Sequence, residues 1–271
     1  MTLYVLTAIV VVLYSLASLL AIRSLVKPTA ALGSAQHRVL LLALISSLIF
    51  HGILLNLKIF TASGINLSFG PAMSLVMWVI TMLYLFTSLL RPATNMGAII
   101  LPLNIVTVII AILLPSRTII ESNTPLMQIH IAIAVLAYGL LALAGVQALF
   151  VNSQEKALHA HQAKRINLHL PPLETMEALL FNMLWGGFIL LTLTLISGSF
   201  FSEEIIGKKL VINHHRVLSA GAWVVFGTFL FGHWRWGWRG RNAVHWTIGG
   251  LSLLVLGYFG TKFVLEFLLS K

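Results

Sequence analysis

The run LMQIHIAIAVLAYGLLALAGVQALFV, Leu126–Val151, contains no Asp, Glu, Lys or Arg. A helix of about 20 apolar residues suffices to cross the hydrocarbon core of a bilayer, which is about 30 Å thick. This run exceeds that length and reads as a membrane-spanning helix. Its Ala and Gly residues let neighbouring helices approach closely. They need no functional site to explain them.

The rest of the chain agrees. It has 271 residues, 59% hydrophobic and 9% charged, with a mean hydropathy of +0.97. Soluble domains are about a quarter charged, so too few charges are present to coat a globule of this size. The chain is solvated by lipid. A net charge of +10 and a pI of 10.3 do not signal nucleic acid, because the Lys and Arg stand singly between apolar runs. That arrangement marks topology. The absence of Cys excludes disulfides, thiolate zinc sites, thiol redox chemistry and thioether attachment of haem to this chain.

Eight apolar segments are expected to be helices: 3–22, 38–58, 71–90, 96–114, 126–151, 176–200, 214–233 and 243–268. Polar or Pro/Gly-containing breaks separate them, among them TASGINLSFGP, RPATN and SEEIIGKK. The first lacks a preceding basic residue and is too long for a signal-peptide core, so it reads as a retained helix. No repeat or separate soluble domain is evident. The expectation is an all-α, polytopic membrane protein, a single domain over residues 1–271. With eight passes, ten of the 17 Lys and Arg fall on one side, including Lys156, Lys164, Arg235 and Arg239. Positive-inside bias makes that side cytoplasmic and places both termini outside.

The stretch HWRWGWRGRNAVHW, His233–Trp246, holds four of the seven Trp. It falls on the cytoplasmic side, between the seventh and eighth helices. Trp at headgroup depth and Arg on the inner face are ordinary membrane anchors.

Polar groups in hydrocarbon are costly unless paired, so intramembrane histidines are candidate functional residues. His51 lies thirteen residues into the second segment, about 10 Å from its outer end. His130 lies four residues into the fifth, about 6 Å deep. Two imidazoles at one depth on different helices can ligate a haem iron. The alternative for each is a hydrogen bond to a neighbouring helix. His214 and His215 open the seventh segment on the same face. His233 closes it on the other. His159, His161 and His169 fall in the cytoplasmic loop, and His245 joins the Trp-rich stretch. Asn56 and Asn104 are explained by interhelical hydrogen bonds. No paired carboxylates within a helix, Ser-His-Asp pattern or phosphate loop appears, so a hydrolase or ATPase has no residues to stand on.

The segments MQIHIAIAVLAYGLLALAG, FILLTLTLISGSFF and GWRGRNAVHWTIGG followed by YFGTKFVLE resemble the cytochrome c assembly family of membrane proteins, in particular its YpjD/HemX-like, CcsA-related branch. The resemblance is strongest from about residue 125 to the C-terminus; FHGILL around His51 also fits it. It implies an eight-helix haem-handling protein. By position, it implies that His130 is the outer histidine, His233 in FLFGHWR an intramembrane histidine, and His51 a branch histidine in the second helix. Haem-delivering members carry a WGxxWxWD-type motif on the outer face, between the sixth and seventh helices. Here that loop reads SEEIIGKKLVINHH, without Trp. The stretch His233–Trp246 lies on the opposite side and lacks the acidic residue.

The resulting expectation is a non-enzymatic, haem-binding inner-membrane protein. It would serve cytochrome c maturation or haem handling and bind b-type haem non-covalently. Candidate cofactor-binding residues are His51, His130, His233 and His214, with His51 and His130 on the iron. Expected partners are the bilayer, haem and cytochrome maturation proteins, with no nucleic acid. A small-molecule transporter or channel, and a cytochrome b-type electron carrier, are the alternatives.

Overall fold

The computed structural model describes residues 2–26, 34–61, 64–90, 96–115, 119–120, 124–159, 170–206 and 214–269. All eight expected helices form: α1 (Thr2–Val26), α2 (Ser34–Ile59), α3 (Phe69–Leu90), α4 (Gly97–Leu113), α5 (Pro125–His159), α6 (Leu173–Ile206), α7 (His214–Trp236) and α8 (Arg241–Val255). The last helix continues through π-helical turns at Leu256–Gly260 and Val264–Leu268. Helices satisfy every backbone group internally, which is why an apolar chain in lipid adopts them.

Seven of the helices are long and apolar enough to span a bilayer; α4, with 17 residues, is shorter. Two close contacts show that α4 nevertheless runs back along α3. A Cβ at Gly70, near the start of α3, would stand 2.9 Å from Ala111 Cα, near the end of α4. A Cβ at Gly97, opening α4, would stand 2.4 Å from the Tyr84 hydroxyl, well along α3. The two helices are therefore antiparallel over most of their length.

Packing divides the bundle into two rings of four. Helices α1–α4 contact one another in cyclic order, and α5–α8 do the same. The α3–α5 contact joins the rings. One buried apolar cluster includes residues of every helix, among them Tyr14, Tyr84, Leu141 and Phe226. Side chains that are exposed in the isolated chain, such as Leu42, Ile53, Ile189 and Val224, form the lipid-facing exterior.

The only strands among the described residues are short: β1 (Phe60–Thr61), β2 (Gly64–Asn66) and β3 (Ile119–Ile120), antiparallel in the order β1-β2-β3. They sit at the bundle end where α2 gives way to α3. Asn66 organises the turn into α3. Its Nδ2 donates to Lys58 O at 3.0 Å, and its Oδ1 accepts from Ser68 N at 3.1 Å. The end of α8 closes over this turn. Buried Glu266 accepts from Phe69 N at 3.0 Å and pairs with Lys262 at 3.6 Å, while Lys262 donates to Leu67 O. A carboxylate at the start of α3 complements the helix dipole.

Candidate functional site

Each candidate histidine has a defined place. His51 is fully buried in the first ring. Both its nitrogens are engaged: Nδ1 with the Tyr14 hydroxyl of α1 at 3.1 Å, and Nε2 with Ser74 Oγ of α3 at 2.8 Å. Asn104 Nδ2 donates to Thr81 Oγ1 at 2.7 Å nearby in the same ring. Four helices thus share a buried polar core, a common use of polar groups in membrane bundles.

The expected pairing of His51 with His130 does not form. Helix α3 packs between α2 and α5, and the rings turn to other partners. Counting residues along a helix fixes depth; it leaves open which neighbour the side chain meets.

His130 instead belongs to a site at one end of the second ring. Its Nδ1 lies 2.7 Å from Ser197 Oγ of α6. Gly198 follows Ser197 and makes room: a Cβ there would stand 3.2 Å from His130 Cε1. From α7, His215 comes within electrostatic reach of His130. Its Nδ1 is buried, and its ring lies within hydrogen-bonding reach of the Gly257 backbone. Tyr258, in the first π-turn of α8, meets the His215 ring edge-on at 5.7 Å between centroids. Arg216 donates to Gly198 O at 3.4 Å, tying the start of α7 to α6. His214, the expected candidate on α7, is exposed; its neighbour His215 is the one turned inward. Nothing in the sequence ranks these adjacent residues, since a turn of about 100° separates them.

His233 lies at the opposite end. Its Nδ1 donates to Trp238 O at 2.7 Å, and its ring stacks on Phe181 at 3.5 Å. The stretch His233–Trp246 is a tight turn between α7 and α8. Gly237 (φ +68°) donates to His233 O at 2.9 Å and ends α7 in a left-handed cap. The Trp238 indole folds back onto Gly232 and stacks between Trp236 and Trp246. Glu177 of α6 accepts from Gly240 N at 3.2 Å. Trp234 and Trp236 are left exposed, as interfacial anchors are. His245 is also exposed. His161 and His169 lie outside the described residues, as does the His159 side chain.

Among the described residues, no group of three or more His, Asp or Glu side chains is placed to hold a metal ion. A haem needs fewer protein ligands, because the porphyrin supplies four and the chain at most two. His215, with its buried Nδ1, and His130 at the same bundle end are the residues that could hold such a group.

This architecture is that of a polytopic helical membrane protein with histidines at both ends of its second ring. Residues 39–269 match the cytochrome C assembly protein family, and the chain belongs to it. It is 30% identical to the inner membrane protein YpjD of Escherichia coli (strain K12) over 239 residues, covering 84% of this chain and 87% of that one. It is also similar to protein HemX of Brevibacillus brevis, at 22% identity over 51% of each chain. A cytochrome c biogenesis protein CcsA from Prochlorococcus marinus (strain MIT 9515) is 21% identical, covering 70% of this chain and 69% of its own. No solved structure matches the chain.

Proposed function

We propose that the protein is a multi-pass inner-membrane protein that holds haem at the outer end of its second helical ring and serves cytochrome c assembly as a non-enzymatic accessory. The observation carrying this reading is the inward-turned His215, its Nδ1 buried, within electrostatic reach of His130 at one end of the second ring. Family membership supports the ligand class. The name of the relative YpjD supports the inner membrane, and that of CcsA supports cytochrome c biogenesis.

His130 from α5 and His215 from α7 would hold the haem iron there, with α6 holding His130 through Ser197. The apolar walls of the ring would exclude water. Without Cys, the chain would hold haem non-covalently, as b-type haem. Assembly partners would meet the site from the outer face, where the Lys/Arg asymmetry puts it.

The test is hemin titration of the detergent-purified protein. A saturable Soret band is expected, weakened by His130→Ala and by His215→Ala but not by His214→Ala. A featureless titration with the helical fold intact contradicts the reading.

A further inference from the structure

We propose that the π-helical end of the last helix, residues 256–268, is a brace that positions His215 in the candidate site. Gly257 and Tyr258 orient the imidazole at one end of this segment. Lys262 and Glu266 pin the other end to the first ring. The purpose of the brace rests on the haem reading above; its geometry does not.

Gly257 brings the first π-turn against the opening turn of α7. A Cβ at Gly257 would stand 3.1 Å from Leu218 Cβ and 3.6 Å from His215 O. A larger residue would push the two helices apart. With glycine there, the Gly257 backbone comes within hydrogen-bonding reach of the His215 ring. Tyr258 follows, and its ring meets the imidazole edge-on at 5.7 Å between centroids. Tyr138 of α5 backs the Tyr258 ring at 6.0 Å. Two consecutive residues of one helix therefore orient an imidazole carried by another. A group placed behind a metal-binding histidine is the general means by which proteins fix its orientation.

The far end of the segment is fixed to α3. Phe69 is met by the rings of Phe259, Phe263 and Phe267 at 6.1, 5.9 and 5.9 Å between centroids. Glu266 accepts from Phe69 N at 3.0 Å and pairs with Lys262 at 3.6 Å, and Lys262 donates to Leu67 O. Lys262 Nζ also lies 5.6 Å from the centre of the Tyr258 ring, so the pin and the His215 contact share one side chain. The π-turns let a single segment serve both ends. A π-turn amounts to one residue added to an α-helix, and one residue turns everything downstream by about 100°. A continuous α-helix would therefore turn Glu266 away from Phe69 if Tyr258 kept its place on α7. The buried charge pair gains a purpose at the site: it fixes the element that orients one of the two histidines.

The experiment uses the full chain in lipid nanodiscs, labelled with ¹⁵N-histidine and free of haem. The ring signals that His215→Ala removes report the setting of that imidazole. Tyr258→Leu and Gly257→Val should shift them, and Tyr258→Phe, which keeps the ring, should restore them. The paired variant Lys262→Met/Glu266→Leu should shift them too. It removes the pin without stranding a buried charge, an exchange that folds commonly tolerate. The signals that His51→Ala removes are the control and should stay in place throughout. Hemin affinity should fall about 10- to 100-fold in Tyr258→Leu and in the paired variant, the usual consequence of losing a group behind a metal ligand, and recover in Tyr258→Phe. His215 signals indifferent to Tyr258→Leu and to the paired variant overturn the proposal. So does an equal shift of the His51 signals, which reports general loosening. Should the His215 signals follow the brace while the unaltered protein takes up no hemin, the positioning role stands and the haem reading falls.

Discussion

At the scale of single residues, the bundle uses its histidines in three different ways. His51 joins helices, His233 closes a turn, and His130 with His215 marks a candidate ligand site. Removing His51 takes one buried partner from the Tyr14 hydroxyl and one from Ser74. His51→Ala should therefore destabilise the protein by about 1–3 kcal/mol, read as a lower unfolding midpoint in detergent, while hemin affinity changes little. Comparable hemin loss to that of His130→Ala would show that His51 is a ligand after all. Gly198→Val should do the reverse, blocking hemin while the fold survives. Counting along the helices gives His51 and His130 similar expected depths. It did not reveal their neighbours, because those depend on which helices pack together. The same limit hid His215 behind His214: adjacency in the chain says nothing about which of two side chains turns inward.

At the scale of elements, the apolar runs were legible because the bilayer sets their length. All eight helices appear; α4 is one residue shorter at each end than expected, and the others are extended by a few residues, most at α5 and α6. The short strands were not legible, since two- and three-residue pairings leave no periodic pattern. Helix α4 depends on close approach to α3. At Gly70 a side chain meets backbone, which cannot swing aside, whereas at Gly97 it meets the far end of Tyr84. Gly70→Val should accordingly cost more stability than Gly97→Ala, by about 1–3 kcal/mol of overpacking, measured by thermal unfolding. Equal midpoints would contradict the antiparallel contact. In the α7–α8 turn, Trp236 is exposed and stacks on Trp238. Trp236→Phe should leave hemin occupancy nearly unchanged, as befits an anchor; a loss matching that of His130→Ala would reveal a site there.

At the scale of the whole molecule, two rings of four helices lie side by side, with the candidate haem site confined to the second. The Lys/Arg asymmetry and eight passes predict both termini outside, with the α5–α6 connection inside. Reporter fusions after Leu269 and after Leu170 should give opposite readings, and matching readings would break the eight-pass topology. The account stands most directly on the identity of the axial ligands. Electron paramagnetic resonance of the hemin-loaded, full-length protein measures it. A low-spin ferric signal of two imidazoles is predicted, turning high-spin when either His130 or His215 is replaced by Ala and unchanged in His51→Ala and His214→Ala. A low-spin signal that survives His215→Ala, or disappears with His51→Ala, would contradict the site.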